Sequence, residues 1–266
     1  KILAAIKKKI KKIKKIKIKK KNNLNQFKYN LIIICSGPNS PITKKFLRNN
    51  YFGFAYNEVA ITTIINHRTT NNNTAKQLFL TQGPLALLPI SDSKTSIVWT
   101  VDKNFLPKKN KNKFFKSELL KKIKNIYQKI KFTTNIEYKE LNFQISTKYY
   151  NNNRTLIFGE ALHSVHPMAG QGFNMTLRDL IKLEFLLKKN ISLGIDIGNS
   201  EILSTFSQMR KPNNFIYSLG INSMRNFFSF QNPFIQKLRM HTLKQINNNN
   251  LIKKNFINLA DKGINI

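Results

Sequence analysis

Residues 158–179 read FGEALHSVHPMAGQGFNMTLRD, and this stretch decides the fold class. The apolar run at 155–158 predicts a buried strand that stops at Gly159 and is followed at once by a carboxylate, Glu160. Two histidines and a proline come next, His163, His166 and Pro167. The small-residue loop of Ala169, Gly170, Gln171 and Gly172 then opens a helical pattern at Asn174. A carboxylate at a strand end accepts hydrogen bonds from ribose or ribityl hydroxyls. Glycines let a flat ring lie against bare backbone. The N–H groups that open a helix favour phosphate or an anionic ring edge. These parts together suit a sugar-phosphate cofactor with a flat ring, and a flavin fits that description.

Working outward, residues 29–35 predict a second buried strand feeding the turn cluster Ser36, Gly37, Pro38, Asn39 and Ser40. Strand signals recur at 59–65, 77–81, 85–90 and 96–101, with turns at 71–73, 82–84 and 91–94, so this region reads as an antiparallel sheet. The near-continuous apolar run LALLPI at 85–90 implies a strand covered on both faces or lining an apolar cavity, and Trp99 is assigned to packing. Leu119, Ile123, Ile126 and Ile130 mark an amphipathic helix with Ser117 as its N-cap. One or two strands over 137–148 lead back to the strand at 155. Beyond Asp179 the pattern is helical. Leu180, Leu183, Leu186 and Leu187 share a face, Asn199 or Ser200 begins another helix, and Pro212 interrupts the next. Phe227, Phe228, Phe230, Phe234 and Phe256 are assigned mainly to helix packing. At the start, Leu3, Ile6, Ile10 and Ile13 mark one helical face, 16–19 a short alternating strand and 22–28 a polar turn.

The 266 residues provide chain enough for one large domain or two small ones, and a 41% hydrophobic content argues against general disorder. The net charge is +34, from 46 basic against 12 acidic residues. Thirty-nine of those cations are Lys and seven are Arg, in a chain also rich in Asn and Ile. Lys, Asn and Ile share A/T-rich codons, whereas nucleic-acid readers favour the bidentate fork of Arg, so no nucleic-acid partner is expected. Cys35 is the sole cysteine, which rules out an internal disulfide and makes a reducing, cytoplasmic compartment the expectation. No apolar run approaches the ~20 residues needed to span a bilayer. The Lys-rich start lacks both the Arg and Ser of a transit peptide and the apolar core of a signal peptide. With Lys rather than Met at position 1, the expectation is either a fragment or a gene model that begins late.

The 159–179 segment resembles the second flavin-contacting motif of the class A flavoprotein aromatic hydroxylases. The nearest group is the one that hydroxylates polyprenyl phenols in ubiquinone biosynthesis. Gly159, His163, His166, Pro167, Ala169, Gly170, Gln171, Gly172, Asn174 and Asp179 fall in register, with Glu160 where that family usually has Asp. A second resemblance lies upstream, where the family's strand ends in Asp-Gly, two residues, Ser, and then Arg three positions on. Gly37, Asn39 and Ser40 match, while Ser36 and Thr43 replace the Asp and the Arg, and Lys44 or Lys45 stand near as phosphate cations. Residues 83–90 and 96–100 are similar to the family's substrate-domain sheet, and the tail to 260–263 is similar to its C-terminal helices.

The resemblance implies an α/β FAD-binding fold of the glutathione-reductase-like, para-hydroxybenzoate-hydroxylase type with an inserted antiparallel substrate-domain sheet. Residues 1–50 would be a remnant of the FAD-binding domain and 51–150 the substrate-domain sheet and helix. Residues 151–190 would carry the motif strand, loop and helix, and 191–266 a C-terminal helical segment. It further implies FAD as cofactor, NAD(P)H as reductant, and hydroxylation of a polyprenylated phenol with O2 through a flavin C4a-hydroperoxide. The FAD contacts carried over are Ser36, Gly37, Gly159, Glu160, Pro167, Ala169, Gly170, Gln171, Gly172 and Asn174. Glu160 would hold the sugar or ribityl chain, Pro167 would cover a ring face, and Gly170, Gln171 and Gly172 would offer N–H groups to the pyrimidine end. Asn174 would cap the next helix or touch the ring. A lipid-soluble substrate implies peripheral contact with the inner face of a membrane and partners among other ubiquinone-biosynthesis proteins. Family members begin with a βαβ unit carrying G-x-G-x-x-G, which this sequence lacks, so roughly the first hundred residues of a complete member are expected to be missing.

Glu160, His163 and His166 at three-residue spacing raise a metal reading. A His–Pro pair in a Gly-rich loop presents converging ligands poorly, and no metal is expected. No G-x-S-x-G elbow supports hydrolase chemistry. His67 and His241 have no motif around them and read as surface or satisfied core. Three rival functions stay open: a flavin hydroxylase of another aromatic compound, a non-catalytic remnant that binds a partner, and a basic nucleic-acid-binding protein.

Overall fold

Two short strands far apart in sequence lie side by side and frame everything else. In the computed structural model, which describes residues 29–151, 154–230 and 232–262, β1 (Ile32–Ile34) runs parallel to β9 (Thr155–Ile157). The register sets Ile34 opposite Ile157. β8 (Tyr150–Asn151) adds antiparallel to β9, giving a three-stranded sheet in the order β1-β9-β8. Chain between β1 and β9 forms all of the inserted antiparallel sheet except its last strand, β10 (His163–Ser164), which follows β9, so the α/β architecture expected from sequence is the one observed. The helix face at 3–13, the alternation at 16–19, the turn at 22–28 and Gly263 lie outside the described residues.

β2 (Tyr51–Asn66) is the spine of the insertion. It pairs with β7 (Glu137–Ser146) on one side and β5 (Lys94–Asp102) on the other. β4 (Gly83–Ser91) and β3 (Lys76–Leu80) continue the sheet beyond β5, β10 (His163–Ser164) closes it beyond β7, and β6 (Lys131–Phe132) pairs with one end of β2. Period-two alternation buries Val59, Ile61 and Ile65 of β2, Leu85 and Leu87 of β4, and Ile97, Trp99 and Val101 of β5 on one face. That face packs against Phe115, Leu119 and Ile123 of α2 (Lys111–Ile123). A second core holds the small sheet to the helices, joining Leu156, Ile157 and Phe158 to Leu183, Leu186, Leu203 and Phe206. Leu183 and Leu186 lie on α3 (Gln171–Ser192), and Leu203 and Phe206 on α4 (Ser200–Ser229). α1 (Pro41–Leu47), capped by Ser40, follows β1, while α5 (Pro233–Asn248) and α6 (Asn250–Lys262) end the described chain.

Several sequence expectations need correction. β1 is not a buried strand: Ile32 and Ile33, which point to opposite faces, are 43% and 42% exposed, so neither face is fully covered among the described residues. The LALLPI run is covered on one face only, with Leu85 and Leu87 buried but Leu88 and Ile90 exposed. Ser117 lies inside α2 rather than at its cap. The helix begins six residues earlier because Phe115 is drawn under Trp99, 6.0 Å between ring centroids, while Ile126 and Ile130 pack beyond its end. Pro212 does not interrupt α4, which is pinned on both sides of it by buried Phe206 and Asn214. The C-terminal phenylalanines are mostly solvent-facing, Phe234 at 73% and Phe256 at 50%, since α5 and α6 carry no covering layer among the described residues.

Gly83 shows how tightly the sheet is built. Its φ is +127°, and a Cβ there would stand 2.1 Å from the Thr100 carbonyl oxygen. Gly83→Ala should therefore lower unfolding free energy by about 2–3 kcal/mol, read from urea denaturation.

Candidate functional site

The motif segment leaves β9, whose three residues are all buried, and reverses at Gly159, where φ is +66°. That left-handed conformation suits glycine. A 3-10 turn, Gly159–Ala161, returns the chain to β10, which pairs with β7 through His163 opposite Ile145 and Ser164 opposite Gln144. Ser146 secures the crossing: its N–H donates to the Leu162 carbonyl at 2.8 Å and its Oγ to the Ala161 carbonyl at 2.8 Å. The segment thus stitches the small sheet to the large one. A second 3-10 turn, Met168–Gly170, leads into α3, with Gly170 left-handed at φ +64° as the N-cap. Gly170 has no side chain to fold back on the first-turn N–H groups, and the space where its Cβ would stand is open to 4 Å. A 22-residue helix therefore presents an uncapped positive end.

The other expected residues gather at the same end of the parallel pair. Ser36 and Gly37 follow β1, just as Gly159 and Glu160 follow β9, and Phe158 N–H donates to the Ile34 carbonyl at 2.9 Å. Both pairs thus lie at the carboxyl ends of adjacent parallel strands, where open α/β sheets bind ligands. Ser36 Oγ lies 3.1 Å from Thr43 Oγ1, so the two departures from the family pattern are hydrogen-bonded to each other. The Glu160 side chain is 67% exposed, with Lys139 Nζ 3.8 Å away. Pro167 is exposed, Ala169 lies within the second turn, and Gly172 sits under Val165 with only 3.4 Å for a Cβ. Gln171 Oε1 is buried with no hydrogen-bond partner. Asn174 is the fourth residue of α3, so it does not cap the helix; Gly170 holds that position.

The two histidines serve other contacts. His163 Nε2 lies 2.8 Å from Asp179 Oδ2, with both side chains out of contact with water. Asp179 Oδ1 accepts from Arg210 Nε at 2.6 Å, and Asn214 Nδ2 lies 3.1 Å from both carboxylate oxygens. Asn214 Nδ2 also reaches Tyr149 Oη at 3.3 Å, and burial pushes that phenol well above its ordinary pKa. Motif matching marked Asp179 but missed this network. The available signal was a carboxylate in the buried stripe Met175, Asp179, Leu183 and Leu186 of α3.

His166 belongs to a second cluster. Its Nε2 lies 3.1 Å from Glu58 Oε2, and its Nδ1 accepts the Met168 N–H at 3.1 Å. Glu58 also accepts from Arg225 Nη2 at 2.7 Å and Nε at 3.3 Å. Burial pushes the Glu58 carboxyl up, but hydrogen bonds from His166 and Arg225, with their charge, outweigh it and hold the group below its ordinary value of 4.5. Tyr56 lies edge-on to His166 at 5.4 Å and under Arg225 at 4.9 Å, and burial is the largest cause pushing its phenol up to about 12. This cluster forms the polar end of a cleft of about 560 Å³, whose other wall is apolar, with Phe79, Phe228 and Met240. Gln82 lines it with a buried amide oxygen that has no partner. Sequence reasoning identified neither Glu58 nor Arg225. His67 is satisfied core, bonded to the Arg68 carbonyl at 3.0 Å and Thr95 Oγ1 at 2.9 Å. Among the described residues no three His, Cys, Asp or Glu side chains converge as metal ligands.

Comparison with known proteins bears on this geometry. Residues 8–214 match the family model described as an FAD binding domain. The chain is 28% identical over 285 residues to the ubiquinone biosynthesis monooxygenase COQ6, mitochondrial, of Dictyostelium discoideum, covering 90% of this chain and 57% of that protein. It is 28% identical over 176 residues to the ubiquinone hydroxylase UbiL of Rhodospirillum rubrum, covering 65% and 41%. The chain spans about half the length of the curated relatives it matches. The p-nitrophenol 4-monooxygenase PnpA of Pseudomonas putida superposes with a TM-score of 0.67 at 12% identity, over 88% of this chain and 59% of that one, a likeness of fold.

Two outcomes are expected of the clusters. Asp179→Ala strands His163, Arg210 and Asn214 in the interior and should lower unfolding free energy by about 3–5 kcal/mol in urea titrations. The depressed Glu58 carboxyl stabilises the fold above its unfolded value near 4.5, and that stability is lost as pH falls through the lower folded value. Glu58→Gln should remove this acid-side loss, leaving a shallower dependence of unfolding free energy between about pH 5 and pH 3.

Proposed function

The chain belongs to the FAD binding domain family, and from that premise we propose that it is part of an FAD-dependent monooxygenase that hydroxylates the aromatic ring of a polyprenylated phenol in ubiquinone biosynthesis. The names of its curated relatives, a ubiquinone biosynthesis monooxygenase and a ubiquinone hydroxylase, supply the substrate class. The observation that carries the reading is the uncapped N-terminus of α3 behind a left-handed Gly170, set beyond the carboxyl ends of β1 and β9. This arrangement fits FAD. The open space at Gly170 suits a ring lying on backbone, and the unpartnered Gln171 Oε1 suits a ring N–H donor.

In this reading Gly170, Gln171 and Gly172 offer backbone N–H groups to the pyrimidine end, where negative charge is stabilised. Glu160, exposed and held only at 3.8 Å by Lys139, accepts ribityl or ribose hydroxyls. Gly159, Ser36, Gly37 and Ala169 bring backbone close to the cofactor, Pro167 lies against a ring face, and Asn174 contacts the ring from the first turn of α3. When bound, the flavin supplies O2 activation and oxygen transfer, with NAD(P)H as the reductant. The protein orients the phenol and excludes water, a task the mixed polar and apolar cleft beside His166 suits. Residues 51–150 then supply the substrate-facing sheet and 151–190 the flavin-facing segment.

No helix among the described residues is long and apolar enough to cross a membrane. Peripheral contact with a membrane face fits α5 and α6, where exposed Phe234, Met240, Leu251 and Phe256 stand among Lys237, Lys244, Lys253 and Lys254. Contact with other ubiquinone-biosynthesis proteins belongs to the same reading.

The expected result is a purified protein that is yellow with bound flavin and that consumes NAD(P)H faster when a prenylated phenol is added. Glu160→Ala should weaken FAD binding by about tenfold, measured by flavin fluorescence titration. Its unfolding midpoint should match the unsubstituted chain, since the side chain is solvent-facing. Equal flavin affinity in both proteins would remove Glu160 from the site.

A further inference from the structure

We propose that Glu58 and Arg225 are positioning residues for the loop ahead of α3, holding His166 in one tautomer and so fixing the turn at 167–170; the inference rests on the flavin role proposed for that loop. The starting observation is an irregularity in β2. Its ladder with β7 pairs Ala55 with Asn142 and resumes at Val59 with Glu140, so residues 56–58 stand against Leu141 alone. Asn57 within that bulge is left-handed at φ +57°. Asparagine tolerates this region better than most residues, and bulges re-aim side chains beside functional sites. Here the side chain set by the bulge is Glu58.

His166 is held from both sides. Its ring is fully buried. Because Nδ1 accepts the Met168 N–H, it carries no proton, and Nε2 must carry the one donated to Glu58 Oε2. Met168 opens the turn that ends at Gly170, and Pro167 lies between. The orientation of the imidazole therefore sets where this turn begins. Glu58 is anchored in its turn by two nitrogens of Arg225, whose Nη1 donates to Asn226 Oδ1 at 2.9 Å and whose guanidinium lies over Tyr56. Sheet, loop and α4 thus meet at one carboxylate. Without Glu58 the Nε2–H of His166 loses its acceptor. The other tautomer would bring an N–H against the Met168 N–H, so the turn would have to move.

The test uses the full chain labelled with 15N-histidine, which has only four histidines to assign. Imidazole spectra report the His166 tautomer, and flavin fluorescence reports FAD affinity. The unsubstituted chain should show the Nε2–H form alone. Glu58→Ala should lose that single form and weaken FAD binding by about tenfold or more. Glu58→Gln, which still presents an acceptor, should restore the tautomer and bring affinity within about threefold. A folded Glu58→Ala protein with tautomer and affinity unchanged overturns the proposal, as does a Glu58→Gln protein indistinguishable from a defective Ala variant. If Glu58→Ala does not fold, Arg225→Met carries the test: weaker flavin binding supports the role, and unchanged affinity refutes it. A chain that takes up no FAD defeats the flavin reading instead. The tautomer measurement then still decides whether Glu58 sets His166.

Discussion

Asp179 has no contact with water, so its charge must be met where it stands. A carboxylate left unpaired in the interior costs several kcal/mol, and donors have to be brought to it. They come from separate elements: His163 from β10, Arg210 and Asn214 from α4, with Tyr149 packed behind them. The carboxylate itself rides on α3. Replacing a buried ionic cluster by apolar groups of the same volume often leaves a fold as stable or more so. What the charge supplies is directional: α3 cannot rotate or slide against β10 and α4 without breaking one of these bonds. Register, more than raw stability, is its contribution.

That register has a consequence at the far end of the helix. α3 begins at Gln171, eight residues before Asp179, so fixing Asp179 fixes where the uncapped first turn points. β9 is itself fixed by its parallel pairing with β1. The helix N-terminus and the carboxyl ends of two parallel strands are thereby held by two independent constraints, one ionic and one from the sheet ladder. A backbone surface held this way has its position set by the chain's own contacts, and under the proposed flavin role that lowers the ordering cost of binding.

Local pattern made the frame legible. The strand at 155–158 and the glycine turn at 159 could be read from residue types in order, and the antiparallel strands from their β-branched and aromatic content, whereas the residue pattern places the helix opening at Asn174, three residues after its observed start at Gln171. The failures have a common cause. β1 reads as buried because three isoleucines in a row carry no information about which faces are covered. Ser117 looks like a cap because its chemistry is right, but Phe115, earlier in the chain, gains more by lying under Trp99. Pro212 looks like a break because the cost of proline is local, while the burial that outweighs it is tertiary. Glu58 and Arg225, 167 positions apart, leave no local signal at all; only the fold brings them together.

The histidines show how spacing can mislead and what resolves it. Two histidines three residues apart, preceded by a carboxylate, suggest metal ligands when read along the chain. In the fold three of the four ring nitrogens are engaged, His163 Nε2 with Asp179, His166 Nε2 with Glu58, and His166 Nδ1 with a backbone N–H, while His163 Nδ1 is buried without a hydrogen-bond partner. Glu160 faces solvent beside Lys139 instead of joining them. Each imidazole therefore acts as a donor that orients something else, one aligning α3 with the sheet and the other aligning the turn that precedes α3. The motif is a pair of rivets around a backbone surface. In this chain the glycines present backbone from a turn that the histidines hold in place.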